Sequence, residues 1–277
     1  MIDCRQSTAS PNPILRKSRH NVAGFSLIEL MVAVGIVVFL AALLIPFSKN
    51  LLRNGESVRE MAGARRAVAA WINYAGENNG ELLTGYAQSG SVTDRRYVYR
   101  LAPYLNNDLR GSLLVNKQAT LKDAYSISMQ PSFGMNITFV GGDYGALSQL
   151  NPDSENGGYV VKRMPQIHSP SKLLVFASAR ITDPSFTPKL AGADFGQREG
   201  YNAVLPRQVS SQVWVEESYD EKRPYYDFGY LHLRYQKRAV CAMADGHVEM
   251  LGFEELKDMR RWANQAAIED NPNWMVP

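Results

Sequence analysis

One stretch restricts this chain more than any other. From Phe25 to Phe47 there are 23 residues and a single charge, Glu29. As a helix they would rise about 34 Å, enough for a hydrocarbon core of about 30 Å. A charged side chain costs on the order of 3 kcal/mol at the centre of such a segment, so a carboxylate kept near its start is expected to have a use. The 24 residues before it carry Arg5, Arg16, Lys17 and Arg19 against Asp3. The whole formal charge of +3 therefore sits in this leader, and the rest of the chain is neutral. Nothing in that balance supports nucleic-acid binding.

Three roles suit an apolar run behind a basic leader. A secretory signal peptide would need cleavage after the run, where Ile45-Pro46-Phe47-Ser48-Lys49 offers a poor site. A plain membrane anchor explains the length but neither Glu29 nor the leader. The third is cleavage before the run, so that the hydrophobic helix becomes the new N-terminus. Gly24-Phe25-Ser26-Leu27-Ile28-Glu29-Leu30 resembles the cleavage and methylation signal of type IV prepilins and type II secretion pseudopilins. That signal is a glycine, a bulky hydrophobe, and a glutamate four residues further on, inside a long apolar helix. The resemblance covers roughly residues 16–75.

The resemblance implies roles. A prepilin peptidase and N-methyltransferase would cut after Gly24 and methylate Phe25. Glu29 would pair with the Phe25 amine of a neighbouring subunit during filament assembly, and Pro46 falls where many members carry a helix proline. Two unpaired charges in lipid are each expensive, while a pair is tolerated. A Glu29 carboxylate wetted at the headgroups is the plainer alternative. Other pilin-like subunits and an inner-membrane assembly platform are the implied partners. A single pass of the cytoplasmic membrane is implied, N-terminus inside and C-terminal domain periplasmic or extracellular. Arg16, Lys17 and Arg19 agree with that orientation, but Lys49, Arg53 and Arg59 beyond the run weaken the asymmetry.

The expected organisation is a leader (1–24), a membrane and assembly helix (25–47), its amphipathic continuation (48–78) and an exported globular domain (79–277). Val58, Met61, Ala64, Val68, Trp71, Ile72 and Ala75 recur at helical spacing, with Arg59, Glu60, Arg66, Asn73 and Glu77 assigned to the other faces. Pro46 should kink this helix, Gly55 soften it, and Asn78-Asn79-Gly80 end it. The fold class is α+β: a long N-terminal helix packed on an antiparallel sheet with long loops.

Beyond the helix, Asp94-Arg95-Arg96 reads as a solvated cluster, and Tyr97, Tyr99, Leu101 and Leu105 as a short helix. Strands are expected at 113–115, 125–129 and 132–140, with a central one at 173–177. Ala239–Ala244 and His247–Leu251 form a hairpin about Asp245-Gly246, a type I′ turn signal. A terminal helix is expected over 253–267, with Leu256, Met259, Trp262, Ala263 and Ala266 on one side. The closing Asp-Gly-His-Val run resembles that of a subgroup of pseudopilin-like proteins.

Little suggests chemistry. No phosphate loop or nucleophile elbow is present, so no enzyme activity and no cofactor are expected. Asp143, Asp153 and Glu155 are weak calcium candidates without EF-hand spacing. His232, Cys241, Asp245 and His247 have zinc-ligand chemistry but no ligand spacing that compels it. Once the leader is removed Cys241 is the lone cysteine, and its apolar run reads as core. The function expected is a structural subunit of a type II secretion pseudopilus or a type IV pilus-like filament. The alternative is a membrane-tethered minor or tip subunit that binds a partner without polymerising.

Overall fold

The computed structural model describes residues 26–143, 159–181, 198–209, 212–215 and 218–276, without the side chains of 43–51, 198, 208–209 and 212–213. The leader, Gly24 and Phe25 lie outside the described residues, as do Asp153, Glu155 and the side chain of Pro46. The chain divides into two compact units, Met1–Lys49 and Asn50–Pro277.

Helix α1 covers Leu27–Glu77. In the first unit every side chain from Ser26 to Ala42 is exposed. Among the described residues no helix is long and apolar enough to cross a membrane. The side chains of 43–47, the end of the expected membrane run, are outside the described ones.

In the second unit α1 buries Glu60, Ala64, Ala67, Val68, Trp71 and Ala75. Two placements on this helix are corrected. Val58, expected in the buried stripe, is 65% exposed, and Glu60, expected on a solvated face, is 1% exposed. Position 60 lies four residues before Ala64 and seven before Ala67, so it continues the buried stripe one turn upstream. The helix ends as expected. Asn79 adopts a left-handed φ of 53°, and the Gly80 N–H donates to the Ala75 carbonyl at 2.7 Å, the long bond of a Schellman motif.

The remaining described elements are α2 (Tyr97–Leu101), α3 (Ala124–Met129), β1 (Phe133–Asn136), β2 (Leu174–Ser178), β3 (Arg180–Ile181), β4 (Arg198–Glu199), β5 (Ala203–Val204), β6 (Gln208–Val209), β7 (Gln212–Val213), β8 (Arg238–Met243), β9 (Val248–Gly252), α4 (Phe253–Leu256) and α5 (Asn264–Ile268). The main sheet has the order β5-β1-β2-β8-β9, with the expected central strand in the middle. Its pairs are antiparallel except β1–β5, which is parallel, so the sheet is mixed rather than antiparallel. β3–β4 and β6–β7 are separate two-stranded pairs. The fold is α+β.

Several local expectations are corrected. Residues 125–129 alternate like a strand but form α3, because the Asp123 side chain accepts from the Ser126 N–H and caps a helix there. Of 113–115 only an isolated bridge at Leu114 forms, and 132–140 yields β1 and an isolated bridge from Val140 to Val161. The hairpin turn is not type I′. The Gly246 N–H donates to the Met243 carbonyl, the Met243 N–H to the His247 carbonyl, and Gly246 alone has positive φ, 95°. This is a three-residue loop closed by a bulge glycine. The terminal helix breaks into α4, a 3₁₀ turn (Met259–Arg261) and α5. The Asp258 side chain caps the 3₁₀ turn by accepting from the Arg260 N–H. The five residues assigned to its inner side are nevertheless all fully buried. Arg96 is also buried, stacked over Tyr86 and Tyr125, rather than solvated.

Gly63 sets how closely α1 approaches residues 111–115. A Cβ there would lie 2.5 Å from Val115 Cγ2 and 2.8 Å from the Ser112 carbonyl, whereas at Gly55 it would meet nothing within 4 Å. Both substitutions to Ala gain up to about 1 kcal/mol of helix propensity. Only Gly63→Ala adds overpacking of about 1–3 kcal/mol. Thermal unfolding should show a raised Tm for Gly55→Ala, by about 2–4 °C, and a lowered one for Gly63→Ala.

Candidate functional site

In the first unit the motif residues start a helix. With α1 beginning at Leu27, Ser26 is the N-cap and Glu29 the third helical residue. The Ser26 N–H donates to Glu29 Oε2 at 2.9 Å, and the Glu29 N–H donates to Ser26 Oγ at 3.3 Å. This reciprocal capping box satisfies two amides that the helix leaves open, and it places a carboxylate at the positive end of the helix dipole. Glu29 thus has a partner within its own chain. Around it, Leu27, Ile28, Leu30, Met31, Val32, Val34, Ile36, Val37, Val38, Phe39 and Leu40 are all more than half exposed. An apolar surface on every face of a helix calls for an apolar environment.

The second unit holds a charge cluster that sequence reasoning missed. Glu60 Oε1 lies 2.9 Å from Arg234 Nη2 and accepts from Ser178 Oγ at 2.5 Å, while Glu60 Oε2 accepts from Tyr235 Oη at 2.6 Å. Ser178 Oγ also accepts from the Val240 N–H at 2.9 Å, which ties the carboxylate to β2 and β8. Arg234 Nη2 donates to the Ser132 carbonyl at 3.0 Å. Its Nη1 is 3.5 Å from Glu199, whose other oxygen pairs with Lys117 Nζ at 2.6 Å. Asn116 Nδ2 donates to Tyr235 Oη and to the Glu56 carbonyl.

The electrostatics follow this geometry. Burial pulls the Arg234 guanidinium down, but the Glu60 charge beside it wins and holds it above its ordinary value. Burial pushes the Tyr235 phenol well up, and Glu60 adds to that. Burial would raise Glu199, yet its bond from Lys117 and the Arg234 charge bring it below the usual carboxylate range. The cluster is a buried set of paired ions that pins α1 to the sheet, with Arg234 Nε the one guanidinium nitrogen that finds no hydrogen-bond acceptor. No reacting group in it stands beside a free acid or base.

The other candidates do not converge. Asp143 is buried, and among the described residues no group of three or more His, Cys, Asp and Glu is arranged to hold a metal. Cys241 is fully buried in β8, where burial raises its thiol pKa. His247 pairs with Asp245 at 2.6 Å at the exposed hairpin loop. The aromatic run at 225–230 packs largely inward: Phe228 is fully buried, and Tyr230 stacks on Tyr201 at 4.6 Å. Glu60 had a sequence signal, its heptad spacing from Ala67, but Arg234, between the buried Leu233 and Tyr235 and outside any regular element, had none.

The prokaryotic N-terminal methylation motif, as a family model, matches residues 19–45. No curated protein and no solved structure matches the chain. The match supports a prepilin-type signal, and with it a type IV pilin-like precursor processed by a prepilin peptidase and assembled with other pilins.

Removing one partner of a buried ion pair costs about 3–5 kcal/mol, because the other charge stays buried and unpaired. Glu60→Ala should destabilise the second unit by that amount in urea unfolding. Glu60→Leu combined with Arg234→Met should lose less than the sum of the single changes, by at least about 1 kcal/mol. Additive losses would show that the pair is not coupled.

Proposed function

We propose that this chain is the precursor of a pilin-like structural subunit, either a pseudopilin of a type II secretion system or a subunit of a type IV pilus-like filament. The observation that carries this reading is the methylation-motif match over residues 19–45, coinciding with the start of a helix whose large apolar side chains from Leu27 to Leu40 are all exposed. A lipid bilayer before assembly and neighbouring helices after it would both cover that surface. The leader stays cytoplasmic, cleavage follows Gly24, Phe25 is methylated, and the second unit is exported. The role is architectural rather than enzymatic.

The capping box sharpens what Glu29 does. With Ser26 N–H on Glu29 Oε2, the carboxylate is held one residue from the amine that cleavage would create on Phe25. Its second oxygen remains available to the amine of a neighbouring subunit. The size of the second unit, Asn50–Pro277, favours a second reading: a minor or tip subunit that engages a partner through this domain.

Mass spectrometry of the chain from producing cells should find an N-terminus at methyl-Phe25. An intact Met1, or a cut near Ser48, would overturn the reading. The Glu29→Gln variant separates two roles, since the amide keeps the capping acceptor and loses the charge. Cellular cross-linking should show Glu29→Gln losing the self-assembled ladder as fully as Glu29→Ala, while cleavage after Gly24 continues. A ladder that survives Gln but not Ala assigns Glu29 to capping alone. A wild-type chain that is processed but gives no ladder selects the minor-subunit reading.

A further inference from the structure

Arg180, Tyr219 and His232 are three side chains that tie residues 218–224 to the folded core. Arg180 of β3, 1% exposed, donates from Nη1 to the Glu221 carbonyl at 2.5 Å and from Nη2 to the Arg223 carbonyl at 3.1 Å. Tyr219 packs its ring on Phe228 at 4.9 Å, and its hydroxyl accepts from the Leu233 N–H at 3.3 Å. The third is His232, 3% exposed, whose Nε2 lies 3.1 Å from Glu221 Oε1. The other ring nitrogen, Nδ1, is buried and has no hydrogen-bond partner.

That asymmetry fixes the protonation chemistry. A neutral imidazole with its hydrogen on Nε2 donates to Glu221 and leaves only a lone pair on Nδ1. The imidazolium would bury an N–H at Nδ1 with no acceptor, a penalty larger than that of a buried bare lone pair. We propose that His232 and residues 218–224 form an acid-released latch: the neutral ring holds Glu221 and its segment closed, and proton uptake at Nδ1 favours opening of the segment, which admits water to the new N–H.

Charged groups face the ring from each packed element. Glu221 comes from the segment, Arg234 from the ring's own stretch and Glu199 from β4, while the Arg223–Asp227 ion pair joins the segment to the turn after it. Arg180 of β3 and Arg53 of α1 act on Glu221, and Glu60 of α1 pairs with Arg234. Burial is the largest influence and disfavours the charged ring; Glu221 and Glu199 favour it and Arg234 opposes it. The result is a His232 pKa pushed down to about 4. Because the closed-state value lies below the ordinary 6.5, the open state binds more protons between them. The closed form is therefore fully favoured above about pH 6.5, loses favour as pH falls toward 4, and changes no further below that.

Hydrogen exchange on the full chain in detergent micelles, corrected for intrinsic rates, tests the latch at pH 7.5 and 4.5. The amides of Arg223 and Leu233, which donate to the Asp220 carbonyl and to Tyr219, report on it. Their open-to-closed ratio should rise about seventy-fold at pH 4.5. In His232→Gln, whose side-chain amide still donates to Glu221, the ratio should stay flat. No rise in the wild type, an equal rise in His232→Gln, or the same loss of protection in the amides of β2 and β8 would each overturn the proposal. If His232→Gln does not fold, the NMR titration of the His232 ring in the wild type decides: a midpoint well below 6.5 supports the latch and one near 6.5 overturns it.

Discussion

The second unit depends on one ion pair. Glu60 lies on α1, and Arg234 lies just before β8, far along the chain. Between them they collect Ser178, Tyr235 and the Ser132 carbonyl. A long helix laid on a sheet can slide or rotate at little loss of apolar contact, because hydrophobic burial has no direction. A buried carboxylate with three donors cannot. It fixes both the rotation of α1 and its axial position on β2 and β8. A buried pair is a weak source of net stability, so its value here lies in setting register, and the many alanines around it (Ala64, Ala67, Ala70) let the helix come close enough for the pair to form.

Glu29 and Glu60 share a helix and have opposite settings. Glu60 is sealed among donors that exist only in the folded second unit. Glu29 is exposed, and its partner is the helix's own first turn. A local cap needs no tertiary structure, so the Glu29 arrangement can form while the chain is still a precursor. The same property leaves the second carboxylate oxygen for the intermolecular charge proposed above. The two residues illustrate how a charge in an apolar helix is accommodated: by closing it off completely, or by placing it at the end where backbone amides already ask for an acceptor.

What was legible in the sequence was burial more than element type. Leu256, Met259, Trp262, Ala263 and Ala266 were read as one face of a helix; all five are buried, although the segment is α4, a 3₁₀ turn and α5. Helical spacing survives such breaks because each short turn keeps roughly the same phase. The opposite failure is at 125–129, where the alternation of a strand lost to a single cap, Asp123 on Ser126. The central strand and the hairpin were readable because apolar runs and Asp-Gly are local signals. The detail of the turn was not, since a type I turn with a bulge glycine and a type I′ turn both accept that dipeptide. In the site, the motif around Glu29 was readable from spacing. Glu60 was misassigned because charged residues are so seldom fully buried.

Arginine explains the rest of what the sequence concealed. Among the described residues from 79 to 238 long elements are few, and two-residue strands such as β3 and β4 cannot hold a chain in place alone. Its loops are held instead by guanidinium groups on main-chain oxygens: Arg100 on Thr84, Arg163 on Asn79, Arg96 on Val92, Arg180 on Glu221 and Arg223, and Arg234 on Ser132. A planar group with five donors in fixed directions can bridge two strands of irregular backbone at once, which an ammonium cannot do with the same definition. Arginine is ordinarily a solvated side chain, and nothing in the local sequence marks these as exceptions. Whether such a residue points outward is decided by unpaired carbonyls elsewhere in the fold, and those become visible only when the loops are in place. Among the described residues, those outside long regular elements are therefore the ones in which single side chains carry the most structural information.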